Sequence, residues 1–326
     1  MINRIISLFL LCLFALGISG CSSDNGSPNI VLKLGTDAAH DYATTIANRQ
    51  MAEIVKNKTN GRIIIEVYAN AQLGDGKELI EAVQMNAVQL ATVGVLQMAE
   101  FKKEFAVLET PYLIVDQEHL DKVLDGDIGR RWLAMDDIGI VGLTFYDNAP
   151  RSFYNSRSAI EKPEDLKGMK IRTTSAPMMI ETLKILGAVP TPVPFSEVYQ
   201  ALQNKVVIGA ENDITSYLSK GHFEVAKYFT SNEHTMVPDI LIMSKKAMDK
   251  LNEADREIII EAARESHKFQ RSEQAKRVDA AYAKLKEHGV IFTQVDKGPW
   301  IAATESVIDK QSDAFKSLVT QIRDMK

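Results

Sequence analysis

The segment IVLKLGTDAAHDYATTIANRQMAEIVKNKTNGRIIIEVYA (30–69) places a helix pattern between two strand patterns. The apolar runs 30–36 and 63–69 are typical of strands. Between them, apolar residues recur at helical spacing along one face, namely Ile46, Ala47, Met51, Ile54 and Val55. We therefore predict a helix that begins at Asp41 and ends at Gly61. This strand, helix, strand order indicates an α/β fold.

The same alternation continues along the chain. Apolar residues at helical spacing predict a helix over 77–88 and another that Gly187 ends. An apolar stretch follows the first of these helices, and the runs 138–146 and 169–174 predict further strands. From Asn252 to about His288 a charged, Pro-free helix pattern extends too far for one ordinary domain helix. We expect this helix to brace two lobes.

Length and composition fit a two-domain folded protein. The chain has 326 residues, of which 45% are hydrophobic and 25% are charged. This composition argues against disordered and collagen-like classes. Because 43 acidic residues outnumber 38 basic ones and give a formal charge of −5, nucleic acid is not an expected partner.

The N-terminus is typical of an exported protein. Arg4 precedes an uncharged apolar stretch that ends in Ile18-Ser19-Gly20-Cys21. A stretch this short favours a signal peptide over a membrane anchor, which needs about 20 residues. The ending resembles the bacterial lipobox, which implies a lipoprotein signal peptide over 1–20 and an acylated Cys21. Residues 21–28 then form the anchor and a flexible linker, and the protein is extracytoplasmic, in the periplasm or at the cell surface.

Motifs for catalysis are absent from the sequence. It contains no HExxH, P-loop, GxSxG or Rossmann glycine pattern, and its six histidines are scattered singly. Besides Cys21 the only cysteine is Cys12, inside the predicted signal peptide, so a cysteine nucleophile or cysteine metal site is excluded from the mature chain. We expect no metal, no cofactor and no enzymatic activity.

Five segments carry a family resemblance, namely AQLGDGKELIEAVQ (71–84), YDNAPRSFYNS (146–156), GMKIRTTSAP (168–177), GAVPTPVPFSEVYQALQ (187–203) and VVIGAENDITSY (206–217). In order and spacing they resemble the solute-binding proteins of tripartite ATP-independent periplasmic (TRAP) transporters, over about 30–290. The resemblance implies a two-lobed, periplasmic-binding-protein-like fold. Each lobe is a mixed sheet flanked by helices, and a long helix crosses both. Lobe I is expected over 29–148 plus about 237–276, and lobe II over 149–236 plus about 277–326.

The resemblance also implies a carboxylate site. Arg172 occupies the position of an Arg that binds the ligand carboxylate, Arg151 that of a second donor, and Asn212 that of an amide donor. Phe195 matches a residue that packs on the ligand skeleton, although core packing explains it equally well. Independently of the family, an Arg at a strand end faces the crevice where α/β folds bind ligands, and its planar fork matches a carboxylate.

Asp37, His40 and Glu78 lie in N-terminal segments expected to face the cleft. Carboxylates accept hydrogen bonds from sugar hydroxyls, so we predict that these residues contact the ligand. Helix capping by Asp37 and a solvated helix face at Glu78 are alternatives of at least equal weight.

Positions at which this sequence differs from related solute-binding proteins indicate which acid it binds. Val93 and Gly94 stand where sialic-acid binders carry an Ala-Glu pair, and Asp213 adds an acid beside the carboxylate site. We expect a hexuronate or related sugar acid first, a C4-dicarboxylate second and sialic acid third. The expected partners are TRAP permease subunits, with membrane contact only through the lipid. We expect the protein to be a monomer. A ligand-sensing lipoprotein that is not coupled to transport remains an alternative.

Overall fold

The computed structural model describes residues 30–326. The predicted signal peptide, Cys21 and the linker lie outside the described residues, so the lipid anchor stays a prediction.

Strands and helices alternate along the described chain. The strands are β1 (Ile30–Thr36), β2 (Ile63–Tyr68), β3 (Leu90–Gly94), β4 (Ile140–Tyr146), β5 (Arg151–Asn155), β6 (Lys170–Thr173), β7 (Val189–Pro192), β8 (Gly209–Asp213), β9 (Tyr228–Thr235), β10 (Asp239–Ser244) and β11 (Ile291–Gln294). The helices are α1 (Ala43–Lys58), α2 (Gly76–Met85), α3 (Val95–Met98), α4 (Gln117–Asp125), α5 (Asp127–Leu133), α6 (Pro177–Ile185), α7 (Val198–Gln203), α8 (Ile214–Ser219), α9 (Lys245–Lys250), α10 (Glu253–Glu287), α11 (Gly298–Thr304) and α12 (Asp313–Arg323).

Local chemistry sets the ends of these elements. Helix α1 ends at Lys58 because the Thr59 hydroxyl donates back to the Val55 carbonyl at 2.8 Å, and Asn60 and Gly61 then turn with positive φ. Helix α2 begins with a capping box built by Asp75 and Glu78. These two helices therefore lie where the apolar spacing predicts them, with ends displaced by a few residues.

Two mixed sheets form the two lobes. The sheet of lobe I has the order β2-β1-β3-β10-β4, in which β10 runs antiparallel to both neighbours. The sheet of lobe II has the order β11-β9-β5-β8-β6-β7, in which β5 runs antiparallel to β9 and β8. The chain crosses between lobes after β4 and returns after β9. The carboxyl ends of β1 and β6 consequently face the cleft, where such folds bind ligands.

The long helix α10 joins the lobes, as predicted. Asn252 caps it by accepting a hydrogen bond from the Asp255 amide at 2.9 Å. Ile259 and Ala263 in its first half pack in the core around β1 and α1. Ala281 and Leu285 in its last turns pack with Tyr217 in the core of lobe II.

The end of the chain differs from the expected lobe assignment. Residues 277–326 are expected in lobe II, but α12 buries Val319 and Ile322 in the lobe I core. The ring of His119 lies 2.7 Å from the Ile322 carbonyl oxygen. Amphipathic spacing shows that α12 has an apolar face but not which lobe covers it. The other lobe boundaries stay predictions.

No helix within residues 30–326 is long and apolar enough to cross a membrane.

Candidate ligand-binding site

A cavity of about 570 Å³ lies where the two lobes meet. Lobe I contributes Asp37, Tyr42 and Asp239, and lobe II contributes Arg172 and Asn212, among other lining residues. The cavity is therefore formed by both lobes together.

Arg172 is a buried cation without a carboxylate partner. Its side chain extends from β6 and is 2% exposed. Its Nε and Nη2 donate to the Val193 carbonyl at 2.9 and 2.7 Å, and it forms no salt bridge with any described residue. Burial lowers the pKa of Arg172 because desolvation penalises the charged form. Three of its five N–H donors are left for other partners.

Arg151, by contrast, is neutralised within the protein. Its Nε donates to Glu211 Oε2 at 2.6 Å, and its Nη2 donates to the Glu211 backbone carbonyl at 2.9 Å. Burial opposes ionisation of Glu211, but Arg151 and the His234 ring outweigh it and lower the Glu211 pKa to about 2. The Thr173 hydroxyl donates to the other carboxylate oxygen at 3.1 Å. Arg151 and Glu211 thus form a fixed ion pair behind Arg172.

Strand pairing brings Asn212 beside this ion pair. Residue Ser152 of β5 lies opposite Asn212 of β8, so Arg151 projects next to it. Asn212 Oδ1 accepts from Arg151 Nη1 at 2.7 Å and from the Asp213 amide at 2.9 Å. These two contacts fix the amide orientation. The Nδ2 donor makes no hydrogen bond to any residue in 30–326, and Asn212 lines the cavity.

Two acidic side chains of lobe I, Asp37 and Asp239, line the same cavity as Arg172. Desolvation, with the carboxylates of Asp75 and Asp239 nearby, raises the pKa of Asp37 to about 8. Burial, with Asp213 nearby, raises the pKa of Asp239 to about 6. Asp37 is therefore largely protonated at neutral pH, and the cavity carries less negative charge than its residue types suggest.

The structure brings five of the predicted ligand-binding residues to this cavity, namely Asp37, Arg151, Arg172, Phe195 and Asn212. The Phe195 ring centroid lies 5.9 Å from Arg172 Cζ and 5.0 Å from Lys220 Nζ. Phe195 is thus placed against both cations at the edge of the cavity.

His40 and Glu78 do not reach the central cavity. His40 is exposed, and its Nδ1 lies 2.9 Å from Arg49 Nη2 on the surface. Glu78 Oε2 accepts from the Asp75 amide at 3.1 Å in the α2 capping box. Glu78 instead lines an adjoining cavity, which Arg172 also lines. The Asp75 amide occupies Glu78 Oε2, and neither residue is placed at the central cavity, so their contact with the ligand stays a prediction.

Four residues that line the cavity were not predicted from the sequence, namely Tyr42, Gln97, Asn148 and Asp239. Asn148 Nδ2 donates to Asp239 Oδ1 at 3.0 Å, and the Tyr42 hydroxyl donates to Asn148 Oδ1 at 3.2 Å. Gln97 packs against two glycines. A Cβ at Gly94 would lie 2.4 Å from Gln97 Oε1, and one at Gly76 would lie 2.9 Å from Gln97 Cγ. Gly76 and Gly94 therefore leave room for the Gln97 side chain, and they are the sequence feature that could have indicated its position.

The described residues contain no group of three or more His, Cys, Asp or Glu side chains placed to hold a metal ion.

Comparison with known proteins gives the family. The family model described as bacterial extracellular solute-binding protein, family 7, matches residues 34–314. The chain belongs to this family. A solved TRAP periplasmic solute-binding protein from Xanthobacter autotrophicus with bound β-D-galacturonate is 33% identical, with a TM-score of 0.87. The match covers 90% of this chain and 100% of that one.

Two further relatives of this TRAP solute-binding protein bind different ligands from each other. One from Pseudomonas putida F1, solved with bound D-glucuronate, is 32% identical, with a TM-score of 0.87 and coverage of 90% of this chain and 96% of that one. The C4-dicarboxylate-binding protein of Rhodobacter capsulatus is 30% identical, with coverage of 87% of each chain. The predicted family, its two-lobed fold and an extracytoplasmic location are confirmed.

Proposed function

We propose that the protein captures a hexuronate in the cleft between its lobes and delivers it to a TRAP-type membrane permease. The observation that carries the proposal is Arg172, a buried guanidinium without an internal counter-ion. A buried charge is costly unless it is paired. A ligand carboxylate supplies the missing partner.

The donors around Arg172 suit a carboxylate. Its remaining N–H groups can hold two oxygens at once, and the free Nδ2 of Asn212 adds a donor from a neighbouring strand. Arg151 contributes by fixing Asn212, since its own charge is neutralised by Glu211. We assign the ligand contact to Arg172 and Asn212, with Arg151 as their support.

The opposite wall suits sugar hydroxyls. Asp239 and the largely protonated Asp37 offer oxygens that accept hydrogen bonds from hydroxyl groups, and the Gln97 amide offers both donor and acceptor. A second ligand carboxylate would meet Asp239 on this wall and be repelled. This charge pattern supports a sugar monoacid over a C4-dicarboxylate, in keeping with the galacturonate and glucuronate bound by the structural relatives.

Other functions have less support. A C4-dicarboxylate ligand remains the second candidate because of the Rhodobacter capsulatus relative. Sialic acid is third because Gly94 stands where an acidic residue is expected in its binders. We propose no enzymatic role. A ligand-sensing lipoprotein would use the same cleft without a permease.

Thermal unfolding in the presence of candidate acids tests the ligand class. A ligand at 100 times its Kd adds about 2.7 kcal/mol to the folded state. We expect D-galacturonate or D-glucuronate to raise Tm by several degrees, and succinate, sialic acid and glucose to raise it less. A larger rise with succinate than with either uronate would contradict the hexuronate assignment.

The lipid anchor is tested separately. We expect a Cys21→Ala variant to lose acylation and to appear in the soluble extract, because the acyl chains supply the membrane affinity. Metabolic labelling with a palmitate analogue measures this. Cys12→Ala is the matched control and should be labelled like the wild type. Label on the Cys21→Ala variant would show that the lipobox interpretation is wrong.

A further inference from the structure

Two carboxylates of lobe I hold serines of lobe II across the mouth of the cleft. Asp75 Oδ2 accepts from the Ser196 hydroxyl at 2.7 Å and from the Ser196 amide at 3.1 Å. Glu100 accepts a hydrogen bond from the Ser175 hydroxyl and another from Lys77 Nζ at 3.2 Å. None of these residues lines the central cavity. The bridges therefore lie outside the central cavity, while Asp75 and Ser175 line the adjoining cavity that Arg172 shares.

The capping box at the start of α2 makes Asp75 a rigid anchor. Its Oδ1 accepts from the Gly76 amide at 2.8 Å, while its own amide donates to Glu78. Gly74 adopts a φ of +117° just before it, a conformation that favours glycine. In the segment LGDGKE (73–78), one carboxylate oxygen of Asp75 therefore caps α2, and the other is free to bind lobe II.

The loop that Asp75 holds also holds Arg172. Over the four residues 193–196, the Val193 carbonyl accepts both hydrogen bonds from Arg172, Phe195 lies against its guanidinium, and Ser196 binds Asp75. Ser175, the second bridged serine, follows Arg172 by three residues. Opening the mouth must release both serines and free the loop that orients Arg172.

We propose that Asp75 and Glu100 are positioning residues, which bind Ser196 and Ser175 as the cleft closes and thereby fix Arg172 and Phe195 around a bound ligand. The bridges stabilise the closed state alone, because each joins groups from opposite lobes. Their loss accelerates ligand release more than it slows ligand entry. The predicted change in ligand affinity rests on the proposed function. The hydrogen bonds between the lobes are observed independently of it.

Ligand release tests the bridges without disturbing the α2 cap. In the double variant Ser175→Ala with Ser196→Ala, we expect the dissociation rate of D-galacturonate to rise about 5- to 50-fold, since hydrogen bonds to charged groups are lost. The preference between galacturonate and glucuronate should stay within twofold of wild type, because neither serine lines the central cavity. Ser158→Ala is the control, since Ser158 is exposed in lobe II and its hydroxyl bonds to no described residue.

Stopped-flow displacement measures both quantities. A dissociation rate within twofold of the Ser158→Ala control would overturn the proposal. A change in sugar preference above threefold would also overturn it, because the serines would then be direct ligand contacts.

A second measurement uses the ligand-free protein, so it tests the bridges even if no uronate binds. Asp75→Ala and Asp116→Ala each remove an N-cap in lobe I, but only Asp75 also binds lobe II. Hydrogen exchange of the ligand-free protein should be several-fold faster over 193–197 in Asp75→Ala than in Asp116→Ala, because the Ser196 amide loses its acceptor. Equal exchange over this segment in the two variants would overturn the proposal.

Discussion

Replacement of Arg172 by alanine is expected to weaken hexuronate binding by roughly 30-fold to several thousand-fold. The ligand carboxylate would be held in a desolvated cavity without its cation, which costs on the order of 2–5 kcal/mol. The protein itself should tolerate the change, because Arg172 forms no salt bridge with a described residue and its loss strands no internal carboxylate. Calorimetry on the folded variant measures the loss.

Two companion measurements separate a carboxylate clamp from general electrostatics. Arg172→Lys should also bind poorly, because an ammonium cannot reproduce the planar fork that donates to Val193 and to the ligand together. Glucose should bind undetectably beside glucuronate, since it leaves Arg172 unpaired. Arg157→Ala removes an exposed Arg of lobe II and serves as the control. Binding of Arg172→Ala within threefold of this control would exclude the clamp.

Most elements of the fold could be predicted because their signals are local. The apolar periodicity of 30–69 and the uninterrupted helix pattern of α10 depend on residues close in sequence. The placement of α12 could not be predicted, because its apolar face contacts residues such as Phe105 and Leu120 about 200 positions earlier. Its partner is decided by which lobe has an uncovered apolar surface, and that is known only after both lobes are assembled.

Some residues of the site could likewise be predicted from the sequence, and others could not. The place of Arg172 and Asn212 at the cavity could be predicted from the family resemblance, and that of Arg172 also from its position near a strand end. The role of Arg151 needed the structure, because the β5–β8 register places Arg151 opposite Asp213 and only the side-chain contact shows that Glu211 neutralises it. Asp239 could not be found from the sequence, since β10 joins the lobe I sheet from a distant part of the chain. The place of Glu78 outside the central cavity could not be predicted, because a capping carboxylate and a ligand-binding carboxylate look alike in sequence.

Replacement of Glu211 is expected to cause a large loss of stability. Glu211→Ala leaves the Arg151 guanidinium, whose side chain is only 12% exposed, beside the cavity without its carboxylate, and breaking a buried pair costs about 3–5 kcal/mol. Glu211→Gln keeps the shape and a hydrogen-bond acceptor, so it should cost less. Urea unfolding at neutral pH measures both variants. Glu257→Gln, at an exposed position of α10, is the control.

The pH dependence of the Glu211→Gln effect identifies its cause. Arg151 and His234 hold the pKa of Glu211 near 2, below the usual value of 4.5 for a glutamate. Because the folded-state pKa is the lower one, the stabilisation is complete above about pH 4.5 and is lost as the pH falls towards 2. The lowering corresponds to about 3 kcal/mol. The stability difference between wild type and Glu211→Gln should therefore shrink between pH 5 and pH 2.5, while the Glu257→Gln difference stays small throughout. A Glu211→Gln difference that is constant over this range would mean that packing, and not the charge on Glu211, stabilises the site.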